Sequence, residues 1–213
     1  GMSNLSKTNR RTQTERSDRT RKLLHEATVA LLMEVGYSNT TTLGIAKRAG
    51  VSRGAQTHHY PEKIDLIVAA TEDMFHAFAE GLAEQAALLR AGRLSLDEFL
   101  DRVWHRMLDG DWFYASLEII VAARGDADLR QRLQPAILSL HGRFEAIWRE
   151  TFAPVSGSDA GPDADPTVIL NIVMNMFRGM AVQAVLRPDK TFLQEMLKVM
   201  ADILRTRVTP IVE

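Results

Sequence analysis

The chain has 213 residues, 46% hydrophobic and 25% charged, an ordinary globular composition with enough apolar material for one large core or two small ones. It contains no cysteine, which excludes disulfide frameworks, thiolate nucleophiles and cysteine-ligated zinc. The net charge of −1 conceals an asymmetry: residues 1–63 carry 11 Lys/Arg against 5 Asp/Glu and residues 64–213 carry 15 against 22, so only the N-terminal third is suited to a polyanion.

In chain order, Gly1-Met2 reads as a tag remnant ahead of a natural start. Residues 1–17 read as a flexible basic tail carrying Lys7, Arg10, Arg11 and Arg16. No apolar run precedes Leu23 and no run of ~18 apolar residues follows, which points to a cytoplasmic chain without a secretory signal or membrane span. From Asp18 the stripe Leu23, Leu24, Ala27, Leu31, Val35 has helical spacing, and Gly36 stops it. Ser38–Thr42 is a loop with Thr42 as N-cap of a short helix Leu43–Ala49; Gly50 turns the chain, Val51 plugs the corner and Ser52 caps a second short helix. Helices this short are marginal alone, so neighbours must clamp them. A helix, tight turn and helix of this size is a common way to deliver a helix N-terminus to the major groove of DNA.

Pro61 suits the first turn of a long helix over about 62–89. Ser95-Leu-Asp-Glu98 is a capping box that opens a helix over about 96–109. Further helices are predicted over about 113–124, over about 129–152 with a break or kink at Pro135, over about 166–187 behind the N-cap Asp165, and over about 190–208; Pro154–Asp165 reads as a flexible loop. No segment alternates with period two, so the fold class is all-α. The last two helices carry Val168, Ile172, Val173, Met176, Phe177, Met180, Val182 and Val185, then Phe192, Leu193, Met196, Leu197, Val199, Met200, Ile203 and Leu204. That is more apolar surface than one intrachain neighbour covers, and it predicts a symmetric homodimer through these helices.

The ordered set Glu34-Val-Gly-Tyr37, Thr40–Ala46, Ala49-Gly-Val-Ser52 and His58-His-Tyr-Pro-Glu-Lys63 resembles the tetracycline-repressor (TetR) family of transcriptional regulators, closely over about 18–75 and in layout beyond. The resemblance implies a helix-turn-helix DNA-binding domain over 18–63 and a larger effector-binding and dimerisation domain over 64–213. It also implies a repressor that binds a palindromic operator and is released by a small hydrophobic or aromatic effector. On that reading Ser52–His58 is the recognition helix. Thr42, Tyr60 and Lys63 suit phosphates; Gly54 and Ala55 keep the helix front thin. Arg53 and Gln56 can read guanine and adenine, Gln56 alternatively bonding locally, and Thr57 either base or backbone; His58 and His59 touch phosphate or pack. Thr57 replaces the family's commoner aromatic, Gln56 a commoner apolar residue, and Gly44 a frequent acid.

An effector would sit among Trp104, Met107, Leu108, Trp112, Phe113, Leu117, Val121, His141, Phe144, Trp148 and Phe177, with Glu118 and His141 as polar fixing groups; the bland alternative is ordinary core. Effector binding would tilt the long helix and spoil the roughly 34–36 Å spacing that two recognition helices need. No cofactor, metal or catalytic residue is expected. Asp73-x-x-His76 is a single pair where a di-iron bundle needs two Glu-x-x-His motifs and two further carboxylates, and neither a phosphate loop nor a nucleophile elbow occurs.

Overall fold

The computed structural model describes residues 2–110, 112–155 and 165–213, with side chains from residue 12 onward. The described elements are α1 (Met2–Asn39), α2 (Thr42–Ala49), α3 (Arg53–His59), α4 (Lys63–Arg90), α5 (Leu96–Asp109), α6 (Trp112–Gly125), α7 (Ala127–Thr151), β1 (Phe152–Pro154), α8 (Pro166–Leu186), α9 (Lys190–Arg205) and β2 (Val208–Pro210). Most of the loop expected over 154–165, along with the side chains of Lys7, Arg10 and Arg11, lies outside the described residues.

The chain is helical from Met2, where a flexible tail to residue 17 was expected. Once a helix is nucleated, each added residue contributes one hydrogen bond for one residue fixed, so a polar segment extends an existing helix at little cost. Gly36 breaks the helix at φ 79° and ψ 173°, a region that essentially only glycine occupies. A methyl group there would also lie 3.0 Å from Glu118 Oε2. Gly36→Ala should therefore cost about 1–3 kcal/mol of backbone strain. The measurement is the urea midpoint, and an unshifted midpoint would refute it.

Contacts divide the chain into two compact units. The first comprises Gly1–Phe75 and Asp111–Ala136, the second His76–Gly110 and Ile137–Glu213. The first unit thus includes α6, although the sequence reading assigned everything after residue 63 to one C-terminal domain. Apolar periodicity shows that a helix buries a face, but not against which partner. Here the Glu118 carboxylate accepts the Tyr37 N–H at 3.0 Å, and Arg132 pairs with Asp65 at 2.8 Å. The small core of the N-terminal helices is Leu24, Ala27, Ile45 and Leu66, edged by Leu31, Ala49, Val51 and Tyr60.

The second unit is built on aromatic rings. Phe99 meets Trp148 and Phe152, Phe78 meets Phe144, and Trp104 meets Phe177, all edge to face with centroids 5.7–6.4 Å apart. The predicted capping box is present: Ser95 Oγ accepts the Glu98 N–H at 3.1 Å and Glu98 accepts the Ser95 N–H at 3.2 Å. Asp165 caps α8 by accepting the Thr167 N–H at 2.9 Å. α7 continues through Pro135 without a break. After α9 the chain pairs antiparallel with β1, Phe152 opposite Pro210 and Pro154 opposite Val208. The periodicity missed this pair because three residues are too few to show alternation. The segment Pro166–Leu186 is long and apolar enough to cross a bilayer by length and composition, although Asn171, Asn175, Arg178 and Gln183 interrupt its apolar run. Yet its Phe177 is wholly buried and packs on Trp104.

Candidate nucleic-acid interface

The backbone between Thr40 and Tyr60 is capped at every junction. Thr41, not Thr42, is the N-cap of α2: it is extended at φ −123° and ψ 155°, and its hydroxyl accepts the Gly44 N–H at 3.0 Å. An N-cap reaches the N–H of the third helical residue, which selects Thr41 and leaves Thr42 as the half-buried first helical residue. Gly50 sits at φ 69°, and its N–H and that of Val51 close onto the carbonyls at the end of α2. Ser52 Oγ then accepts the Ala55 N–H at 3.1 Å and starts α3. The sequence chemistry therefore dictates the turn: a left-handed residue between two hydroxyl-capped helices.

α3 presents Ser52, Arg53, Gly54, Thr57 and His58 to solvent, with Ala55 and His59 half-buried. The hydroxyl of Thr57 donates to the Arg53 carbonyl at 2.8 Å, so its methyl and lone pairs remain for a partner. Arg53 leads the helix with its guanidinium exposed, and Gly54 and Ala55 add almost no thickness behind it. Gln56 points the other way. It is 2% exposed and its Nε2 donates to the Tyr60 carbonyl at 2.5 Å. Of the two roles open to it in the sequence, local bonding is the one the geometry supports; it cannot also read an adenine.

Two residues expected at phosphates are turned inward. The Tyr60 ring packs on the small core, and its hydroxyl lies 2.6 Å from His25 Nε2, while His25 Nδ1 pairs with the Asp73 carboxylate. His25 thus bridges the Tyr60 hydroxyl and the Asp73 carboxylate, so that hydroxyl is committed to the framework. Burial pushes the Tyr60 hydroxyl above its ordinary pKa. Lys63 Nζ donates to the Tyr37 carbonyl at 2.5 Å and stands 4.0 Å from the centre of the Tyr37 ring; partial burial lowers its pKa. Lys63 and Glu118 thus grip the carbonyl and the N–H of one residue, fixing the exit of α1 to α4 and α6.

Additional surface comes from α1. Gln13, Thr14, Arg16, Ser17, Thr20 and Arg21 line an open groove of about 550 Å³ with His58 and His59. Burial, and then the charges of His58 and Arg21, lower the pKa of His59. The sequence pointed to Arg16 only as part of a tail, because its neighbourhood with His58 depends on α1 being helical before residue 18.

The residues proposed around an effector divide between the units. Trp104, Met107, Phe144, Trp148 and Phe177 are buried in the second, with Leu108 and His141 half-buried. Trp112, Phe113, Leu117, Glu118 and Val121 belong to the first. Glu118 is committed to Tyr37, and Val121 is 68% exposed, so neither faces an apolar interior. Among the described residues no group of three or more His, Asp or Glu side chains is placed to hold a metal ion.

A hydroxyl-capped helix pair with a glycine turn, an exposed arginine leading its second helix and a basic groove alongside defines a helix-turn-helix DNA-binding protein. The model of the tetR family of bacterial regulatory proteins matches residues 24–70. The transcriptional regulator CymR of Pseudomonas putida is 33% identical over 198 residues, covering 93% of this chain and 95% of that one. An uncharacterised HTH-type regulator of Mycobacterium tuberculosis is 29% identical over 172 residues, 81% and 86% of the two chains. A TetR-family member from Streptomyces coelicolor superposes with a TM-score of 0.61 at 21% identity, covering 85% of this chain and 97% of that one. The multidrug-binding protein EbrR complexed with ethidium superposes with a TM-score of 0.56 at 22% identity, covering 85% and 98%. The chain belongs to the TetR family and is a DNA-binding transcriptional regulator.

Proposed function

We propose that the protein is a cytoplasmic homodimeric repressor, without catalytic activity, that binds a palindromic operator and leaves it when a small hydrophobic or aromatic effector enters the C-terminal unit. The carrying observation is the exposed face of α3 together with the basic groove beside it. Arg53 and Thr57 read base edges, while Arg16, Arg21, His58 and His59 hold phosphates. Thr42, at the start of α2, meets another phosphate through the helix N-terminus. Tyr60, Lys63 and Gln56 support the reading helix from behind.

Dimerisation is supported by two exposed apolar stripes. Val168, Ile172 and Val182 recur on α8 at helical spacing, with Gly179 lowering the surface between them; Phe192, Val199 and Ile203 do the same on α9. EbrR, similar in fold, was solved with ethidium, a flat aromatic molecule, which supports an aromatic effector here. α4 belongs to both units, so a change in its course within the second is carried to Lys63, a few residues after the recognition helix. Effector and operator would then weaken each other's binding by the same factor.

The test is fluorescence anisotropy with DNA from upstream of the protein's own gene, across a salt series. Each phosphate neutralised contributes about −0.9 to the slope of log K against log salt, so a dimer using several basic groups per half-site should show a steep slope. Saturable binding that withstands nonspecific competitor is expected. Binding that competitor removes entirely would overturn the reading of α3 as a sequence reader for that DNA.

A further inference from the structure

α3 has seven residues, too few to hold a course alone, so what it reads depends on how its two ends are tied. The leading end is fixed by the Gly50 turn and the Ser52 cap. The trailing end closes on itself: the Tyr60 N–H donates to the Gln56 carbonyl at 2.7 Å, and Gln56 Nε2 donates to the Tyr60 carbonyl at 2.5 Å. The Tyr60 backbone is therefore spent within α3, and its side chain joins this end to other elements. The ring lies against the small core and 5.4 Å from the His25 imidazole, centroid to centroid. The hydroxyl meets His25 Nε2 at 2.6 Å, and the other ring nitrogen, Nδ1, meets the Asp73 carboxylate. His25 is on α1, its side chain 12% exposed; Asp73 is on α4, two residues short of Phe75, where the first unit's share of that helix ends.

An imidazole carries its two polar atoms on separate edges of one rigid ring, so it sets a fixed separation between the groups it bonds. Asparagine and glutamine keep both polar atoms at one end and cannot span the same gap. That separation matters because directional contacts need their side chains held within about 0.5 Å and 10–20°. We infer that His25 is a positioning residue for operator reading: through Tyr60 it holds the trailing end of α3 at a set distance from α4 and thereby aims Thr57. Thr57 is exposed and lies within one turn of Tyr60, whereas Arg53 adjoins the Ser52 cap at the other end and is aimed without the bridge. His25 acts through Tyr60 and not by contact with DNA. The bridge gives α4 an attachment to the end of α3 that Lys63, bonded to Tyr37, does not supply. This rests on the proposed reading of base edges by α3 and names a residue that controls it.

The test is a base-by-base scan of the operator by anisotropy, run on the full chain below its melting temperature. Discrimination is a ratio of two affinities, so a smaller folded fraction lowers both and cancels. A residue that merely stabilises the fold leaves that ratio unchanged. Thr57→Ala and Arg53→Ala first mark the base pairs that each side chain reads. His25→Leu, which keeps a side chain of similar bulk, should then reduce discrimination about three- to tenfold per half-site at the Thr57 position and leave the Arg53 position intact. Combined with Thr57→Ala the two losses should not add; combined with Arg53→Ala they should. Tyr60→Phe should reproduce the selective loss, and Asp73→Ala should show it in smaller measure. Asp73→Asn, whose amide oxygen still accepts a hydrogen bond, should resemble the wild type. Unchanged discrimination in His25→Leu, an equal fall at every position, or additivity with Thr57→Ala would each overturn the role of His25, and a silent Asp73→Ala would overturn the tie to α4. A Thr57→Ala variant with wild-type discrimination would mark a different failure, that of Thr57 as a base reader, and the inference would fall with it.

Discussion

Arg53→Ala should weaken operator binding by about ten- to a hundredfold for each half-site, with no change in melting temperature or helical content. Arg53 is the first residue of α3, exposed, and free of any ion pair among the described residues, so truncation removes nothing that holds the fold. A bidentate contact from arginine to guanine is worth about 1–3 kcal/mol of discrimination, which at 1.4 kcal/mol per tenfold gives the stated range. Two accompanying readouts decide what Arg53 touches. If it reads a base, specificity relaxes at one symmetric position of each half-site while the salt dependence barely changes. If it holds a phosphate, affinity falls evenly over all sequences and the salt slope shrinks by about one per half-site. An alanine variant that binds operator like the wild type would remove Arg53 from the interface.

The ordered N-terminal motifs were legible in the sequence because each depends on local chemistry. Gly36 and Gly50 are needed where φ is positive, Ser52 and Ser95 cap the helices they precede, and Val51 closes the corner. What sequence could not show is direction. Gln56, Tyr60 and Lys63 lie in the motif most exposed to DNA, yet all three turn inward, each to a backbone or side-chain partner fixed only by the tertiary arrangement. Glu118 looked like a polar group lining an apolar pocket, but its partner is the Tyr37 N–H, 81 residues earlier. Thr42 gave way to Thr41 because three consecutive threonines offer three equivalent caps. Hydrophobic patterning identifies which residues are buried; it does not reveal which partner each buried polar group finds.

Placing a carboxylate in each apolar stripe should dissolve the dimer and with it operator binding. Val182 on α8 and Ile203 on α9 are 44% and 46% exposed in the protomer, so glutamate at either position is solvated in a monomer and the fold is unaffected. In an isologous interface every substitution appears twice, and each carboxylate would be buried against apolar side chains of the second copy. Desolvating an unpaired charge costs several kcal/mol, so four such groups exceed the net free energy of most dimers even though the gross hydrophobic term for ~800 Å² per partner is large. Val182→Glu/Ile203→Glu should therefore elute and scatter as a chain of 23.8 kDa, where the wild type gives twice that mass. Operator affinity should drop by about two to four orders of magnitude, because a lone half-site loses the effective concentration supplied by its linked partner. Affinity for a single half-site should stay the same, since α3 and its groove are untouched. A double variant that remains dimeric would place the interface elsewhere; one that becomes monomeric yet binds the full operator as tightly as before would mean that each protomer reads its site alone, and the coupling of effector to half-site spacing would fall with it.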